Sequence, residues 1–220
     1  MLLVTHVSIA GQWPVVVAPP HSTVAWVADD LNQNGVPMQI QTFTSSSSLD
    51  ELTDFYRQQW ASDGQAAVET QMGEWYVIGQ RQGDYYVTVQ ARQVGKQASE
   101  GFIAVNDLKP LLDGRTDVDN AFPRMGGSVM ISNTATRDAG RPATTLLFEN
   151  SYAVNANASF YVGELKSSGW SLRTSFDRPE NGRDTHVLYF ERASEACAIT
   201  VADAGDGRTI IAVNLSGATR

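Results

Sequence analysis

Apolar and polar residues alternate along the first third of the chain in a pattern that predicts a strand, a helix and then further strands. Met38, Ile40 and Thr42 alternate with glutamines, which is typical of a half-buried strand. The helix should begin with the capping box of Ser48 and Glu51, because these residues have the required spacing. Its apolar stripe and its end are formed by Leu49, Leu52, Phe55, Tyr56, Trp60 and the pair Asp63-Gly64. Strands are then predicted over 66–71 (the weakest of them), Trp75–Gln80, Tyr85–Gln93 and Phe102–Asn106.

The second half of the chain shows the same succession of patterns. A strand is predicted over Thr144–Phe148 and a helix over Asn157–Ser167. Gly205-Asp206-Gly207 marks the turn of the last predicted hairpin. The strands expected after the helix are Trp170–Phe176, Thr185–Glu191, Ala196–Ala202 and Thr209–Leu215.

Landmark residues recur at a constant separation, which predicts an internal duplication. Each of four landmarks has a counterpart 105 residues later, without a gap over about thirty residues. The tails agree as well, because Ile103–Asn106 recurs as Ile211–Asn214. The four matches are Gly35-Val36-Pro37 with Gly140-Arg141-Pro142, Phe43 with Phe148, Phe55-Tyr56 with Phe160-Tyr161, and Gly64 with Gly169.

These patterns predict an α+β fold of two tandem repeats, each an antiparallel β-sheet covered by one α-helix in the order β-α-β-β-β-β. We expect the first repeat over 13–108 and the second over 128–220. A connector rich in proline and glycine should occupy 109–127. Before the first repeat's main strand, Val24–Val27 should form an edge strand that pairs with Val129–Ile131.

Composition and charge narrow the classes of partner. Hydrophobic residues make up 42% of the chain, enough to form a core. The net charge of -8 and the scattered basic residues argue against nucleic acid and against anionic membrane surfaces. No stretch has the roughly 20 apolar residues that a transmembrane segment needs.

Residues 1–12 are either the remnant of a signal peptide or an N-terminal strand. Ser8 and Ala10 are small residues placed as before a cleavage at Gly11, whereas His6 interrupts the apolar run. The signal-peptide interpretation predicts a protein of the periplasm or cell envelope, and the strand interpretation leaves the cytoplasm open.

The chain lacks a recognisable catalytic, cofactor or metal motif. Cys197 is single and lies in an apolar run, where a buried thiol is expected. The chain has an acidic run at Asp113–Asn120, but this run lacks the ligand spacing of a calcium loop. We therefore predict no enzyme activity and no cofactor. An enzyme would require His21 or His186 to lie beside a carboxylate in a cleft.

Four aromatic residues on neighbouring strands form the candidate interaction surface: Trp75, Tyr76, Tyr85 and Tyr86. Alternation along a strand places Trp75 and Tyr76 on opposite faces, and likewise Tyr85 and Tyr86. One member of each pair should pack under the helix while the other is exposed, unless the pairs only stabilise the sheet.

The combination predicts a noncatalytic protein-interaction module, in particular an accessory subunit of a bacterial envelope assembly such as a secretion, pilus or outer-membrane machine. The alternative is a binding protein for a small apolar ligand held between helix and sheet. An empty apolar cavity of several hundred Å³ would favour the ligand, and a space filled by core side chains would disfavour it.

Overall fold

The computed structural model describes residues 13–61, 67–114, 121–138, 141–179 and 182–217. Within these residues the fold is α+β, as predicted, with a large antiparallel sheet of 12 strands and three helices. The chain divides into two compact units. The first comprises the chain up to Asp29 together with Met38–Lys109, and the second comprises Asp30–Pro37 together with the chain from Pro110 onward.

In the first half of the chain, six strands are hydrogen-bonded in the order β3-β4-β5-β6-β2-β1. Asn34 and Gly35 connect β1 to β2 with positive φ angles of 53° and 82°, the conformation that makes Asn-Gly the preferred two-residue hairpin turn. The strands are β1 Ser22–Gln33, β2 Val36–Ser45, β3 Val68–Met72, β4 Trp75–Gln82, β5 Tyr85–Gly95 and β6 Ala98–Asp107.

Helix α1, Leu49–Trp60, contacts β4 and β5 and begins at the predicted capping box. The Ser48 hydroxyl accepts from the Glu51 amide, and the Glu51 carboxylate accepts from the Ser48 amide at 2.8 Å. Tyr56 is buried, and its hydroxyl donates to the Val17 carbonyl at 3.0 Å. The core consists of Phe43, Leu52, Tyr56, Trp60, Ile78, Val87, Val89, Ala91, Ile103 and Val105.

The second half has its strands in the order β7-β8-β12-β11-β10-β9. Within the second unit, Leu31–Gln33 of β1 pairs with Thr134–Thr136 of β7. The elements are α2 Lys109–Leu112, β7 Val129–Asp138, β8 Arg141–Asn150, α3 Val154–Ser167, β9 Ser171–Asp177, β10 Thr185–Arg192, β11 Glu195–Asp203 and β12 Thr209–Ser216.

Helix α3 packs on the strands of the second unit. Two buried asparagines, Asn150 and Asn157, exchange amide hydrogen bonds at 2.8 and 3.0 Å and hold the first turn of the helix against the end of β8. The core consists of Leu146, Phe148, Val154, Ala158, Tyr161, Leu165, Trp170, Leu188, Phe190, Cys197, Ile199, Val201, Ile211 and Val213.

Several boundaries differ from the predictions. Helix α3 begins at Val154, three residues before the predicted start, and it has no side-chain cap. In its first turn, the Asn157 side chain donates to the carbonyls of Tyr152 and Ala153. The predicted connector contains α2, and β1 is longer than Val24–Val27. The paired segments of β1 and β7 lie farther along both strands than the segments expected to meet. The predictions for residues 1–12, Gly64 and most of the acidic run lie outside the described residues.

Candidate functional site

The four predicted aromatic residues are divided between the two faces of the first unit's sheet. Tyr76 and Tyr85 pack against the core on the side of α1. Trp75 and Tyr86 point to the opposite face, because side chains alternate along β4 and β5. The two members of each pair lie on opposite faces, as expected, but Trp75 and Tyr86 are half-buried and not exposed.

Trp75 is the centre of a cluster on the face away from α1. Its ring centroid lies 5.8 Å from that of Phe102, and the Arg92 guanidinium lies 4.8 Å from the Trp75 centroid. Tyr86 lies on the same face and covers Gly79, where a Cβ would come within 2.8 Å of its ring. We call Trp75, Tyr86 and Phe102 the aromatic face; Trp75 and Tyr86 are half-buried and Phe102 is 39% exposed.

Charged groups border the aromatic face. Arg92 forms ion pairs with Glu74 at 2.5 Å and with Glu100 at 2.6 Å. Hydrogen bonds to Glu100 and then to Glu74 raise the pKa of Arg92, so the guanidinium stays charged while it stacks on Trp75. This is the arrangement of many interfaces, in which a centre of aromatic residues is surrounded by a polar rim.

Tyr76 joins a polar network on the helix side of the sheet. Its hydroxyl donates to the Glu69 carboxylate and accepts from Arg57 at 2.8 Å, and Arg57 also pairs with Glu69 at 2.8 Å. Hydrogen bonds from Arg57 and then from Tyr76 lower the pKa of Glu69 to about 2. Tyr76 therefore ties α1 to the β3–β4 hairpin.

Tyr85 has a packing role. Its ring centroid is 5.5 Å from that of Trp13, in the segment that precedes β1. Burial, the largest cause, raises the pKa of Tyr85. Tyr76 and Tyr85 thus pack against the core of the first unit. Of the four predicted residues, only Trp75 and Tyr86 remain in the candidate surface.

Sequence reasoning missed Phe102 and Arg92, which complete the surface. The pattern of β6 marks Phe102 as part of a strand, but its contact with Trp75 depends on how three strands align. The register places Phe102 beside Gln90 and Arg92 beside Glu100. Side-chain alternation combined with this register identifies both residues as neighbours of Trp75.

The second unit contains a cavity of about 540 Å³ at the C-terminal end of α3. Apolar side chains from four segments line it, namely Phe122, Leu165, Trp170 and Leu215. On its polar side, the Arg192 guanidinium lies 4.5 Å from the Trp170 centroid and pairs with Glu195 at 2.8 Å.

The core beneath each helix is filled. Phe43 and Leu52 in the first unit, and Phe148 and Leu165 in the second, are at most 1% exposed. A smaller cavity of about 210 Å³ in the first unit lies under the segment that begins at Trp13. Space for a ligand therefore lies at the C-terminal end of α3 and under the segment that begins at Trp13.

His186 lies beside a serine and a carboxylate. Its Nε2 is 2.9 Å from Ser175 Oγ, and its Nδ1 is 2.6 Å from Asp177 Oδ1. These contacts connect serine, histidine and aspartate as in the triad of a serine hydrolase. However, Asp177 is 78% exposed, and none of the three residues lines either cavity. His186 therefore lies beside a carboxylate, which is one of the two conditions stated for an enzyme. His21 lies exposed in the turn before β1, with a φ of 52°.

The remaining features concern metals, thiols and membranes. Within the described residues, no group of three or more histidine, cysteine, aspartate or glutamate side chains is arranged to hold a metal ion. Cys197 is buried, which raises the pKa of its thiol to about 12. None of the helices in the described residues is long and apolar enough to cross a membrane.

Comparison of the chain with protein-family models, curated proteins and solved structures gave no match.

Proposed function

We propose that the chain is a noncatalytic protein-interaction module, an accessory subunit of a bacterial envelope assembly such as a secretion, pilus or outer-membrane machine. Its place would be the periplasm or the cell envelope. The observation that supports the proposal best is the aromatic face. Tryptophan, tyrosine and arginine are the residues that contribute most binding energy in protein interfaces, and here Trp75, Tyr86 and Arg92 lie on one face of the sheet.

The proposal includes two tandem repeats, each with one helix on a sheet. Strand order supports it, because β3-β4-β5-β6-β2-β1 and β9-β10-β11-β12-β8-β7 list corresponding strands in the same sequence. Side-chain geometry supports it as well. Phe55 and Tyr56 stack edge to face at 5.1 Å, and Phe160 and Tyr161 do so at 5.2 Å.

We assign the binding role to the first repeat. On the face away from α3, β11 carries small residues, Ala196, Ala198, Thr200 and Ala202, where β5 carries Tyr86 and Arg92. Alanine side chains bury little apolar area on contact, so β11 provides less binding energy than β5. The divergence fits a duplicated protein in which one copy retains the partner surface.

Affinity capture of the crosslinked full-length protein from envelope and soluble fractions of its native cell tests the proposal. We expect stoichiometric envelope-machine subunits with the wild type, and at least about tenfold less of them with Trp75→Ala. Tyr189→Ala removes a half-buried tyrosine of β10 in the second unit and is the matched control. Equal recovery with Trp75→Ala and wild type would refute the aromatic face as the binding surface.

Binding of a small apolar ligand is the second candidate function, because the cavity beside α3 has the volume of a small-molecule site. The neutral apolar dye N-phenyl-1-naphthylamine is a direct probe. We expect its fluorescence to rise on binding, and Leu215→Trp, which fills the cavity, to abolish the rise. An identical response from the variant would exclude this cavity as the dye site.

A further inference from the structure

Strand β3 forms one edge of the sheet. Within the described residues it is hydrogen-bonded to β4 on one side and ends the strand order there. All five of its residues are exposed, and the side chains of Val68 and Met72 are each 64% exposed. An edge of this kind presents backbone groups and apolar side chains together.

The register identifies which backbone groups of β3 point outward. Gly73 and Glu74 form a two-residue turn, so Met72 and Trp75 are the hydrogen-bonded pair that closes the hairpin. Hydrogen-bonded pairs alternate along an antiparallel ladder, so Thr70 also bonds to β4. The amides and carbonyls of Glu69 and Gln71 therefore point away from β4, with the spacing that another strand requires.

In composition, the described residues of β3 differ from edges that block strand addition by lysine or proline. Val68–Met72 contains no lysine or proline, and Arg57 and Tyr76 hold its one charged side chain, Glu69, toward α1. Strand β9 ends the strand order as well, but it carries Arg173 and Asp177 and is followed by Pro179. Of the two edges, β3 is the one suited to pairing.

The edge is continuous with the aromatic face. Met72 lies opposite Trp75 and Thr70 opposite Val77, so Val68, Thr70 and Met72 share the face that carries Trp75. A strand added to β3 would place every second side chain beside Val68 and Met72. The partner would then be one strand away from Trp75, which lies on β4.

We infer that the partner adds an extended segment to β3, with apolar side chains at alternate positions, and completes its contact on the aromatic face. The inference rests on the proposed function and names how the partner is held. The outward backbone groups specify a strand, and the exposed Val68 and Met72 specify its alternating apolar character.

Gln71→Pro tests the inference. Proline removes the outward amide at a position that does not bond β4, so the hairpin should remain folded. Thr70→Pro is the control, because it removes an amide that bonds β4 and should lower stability. The probe is a set of 12-residue peptides selected by display on the full-length wild-type protein.

We expect selected peptides to alternate apolar and polar residues, to protect the Glu69 and Gln71 amides from hydrogen exchange, and to bind Gln71→Pro at least about tenfold more weakly. Equal binding to Gln71→Pro, or failure to select any peptide, would overturn the inference. So would sedimentation showing a wild-type dimer that Gln71→Pro dissociates, since the occupant would then be a second copy.

The capture experiment separates this inference from the proposed function. Envelope subunits that are lost with Trp75→Ala but retained with Gln71→Pro would leave the proposed function in place and refute the β3 edge as the docking site. Retention with both variants would refute both.

Discussion

Gly101 of β6 lies between Phe43 of β2 and Ala91 of β5, and its replacement by alanine should destabilise the first unit. A Cβ at this position would lie 2.1 Å from the Gln90 carbonyl oxygen, 2.8 Å from Phe43 Cζ and 2.9 Å from Ala91 Cα. Two of these atoms belong to the backbone of β5 and cannot rotate away. Gly101→Ala therefore forces β5 and β6 apart.

The size of the effect follows from the contacts. Overpacking a closely packed interior costs about 1–3 kcal/mol, and a backbone clash at 2.1 Å belongs at the upper end. With a urea dependence of about 1–3 kcal/mol per molar, a loss of about 3 kcal/mol lowers the unfolding midpoint by roughly 1–3 M. Tryptophan fluorescence is a suitable signal, because Trp13, Trp26, Trp60 and Trp75 all lie in the first unit.

Gly163→Ala in α3 is the matched control, with the opposite expected sign. No atom lies within 4 Å of a Cβ at Gly163, so the substitution mainly removes the entropic cost of glycine in a helix. It should stabilise the second unit by roughly 0.5–1 kcal/mol, measured by circular dichroism in urea. Wild-type stability of Gly101→Ala would contradict the strand spacing described here.

Three further predictions concern the thiol, a carboxylate and the serine–histidine pair. Burial raises the pKa of the Cys197 thiol to about 12, so 5,5′-dithiobis(2-nitrobenzoate) should not modify the folded protein at pH 8. The reagent should react fully with the protein unfolded in urea. Stoichiometric reaction of the folded protein would show that the thiol is accessible. Because Arg57 and Tyr76 hold the pKa of Glu69 near 2, below its ordinary 4.5, this carboxylate stabilises the fold above pH 4.5, and the contribution disappears as the pH falls through 2. For such an exposed group this stabilisation should be no more than about 1 kcal/mol, and Glu69→Gln should lose it. The measurement is the urea unfolding midpoint of wild type and variant at pH 7 and at pH 2. A fluorophosphonate probe should not label Ser175, since Asp177 is exposed and Ser175 lines neither of the two cavities described above. Labelling that His186→Ala abolishes would contradict a noncatalytic function.

Local signals in the sequence predict the start of α1 and the orientation of side chains along β4. Ser48 and Glu51 predict the start of α1 because both partners of a capping box lie within four residues. The opposite orientation of Trp75 and Tyr76 follows from the two-residue period of a strand. These predictions succeed because the physical cause is contained in a few neighbouring residues.

Other features depend on residues distant in sequence. Helix α3 starts at Val154 without a side-chain cap, so no capping pattern marks its first residue. Its first turn is held instead by bonds of the Asn157 side chain to Asn150 and to the preceding carbonyls. The partners of Trp75 depend on the alignment of β4, β5 and β6. The arrangement of Ser175 around His186 likewise requires the register of β9 with β10.

The sequence also contains a local signal for where β1 ends. Asn34-Gly35 between two alternating runs is a strong indicator of a hairpin, and it predicts that the strand before it extends to Gln33. The polar residues Asp29, Asp30 and Asn32 hide the alternation of β1, which explains why Val24–Val27 alone was expected.

The pairing of Leu31–Gln33 with β7 has a consequence for dissecting the protein. Asp30–Pro37 belongs to the second unit although about seventy residues of the first unit separate it from Pro110. Asn34 also donates to the Asn133 carbonyl at 2.8 Å and accepts from the Asn133 amide. A fragment cut at the connector would therefore lose a strand from β7 and expose a new pairing edge, a recognised cause of aggregation. The second unit is best isolated by circular permutation that keeps the hairpin, not by truncation.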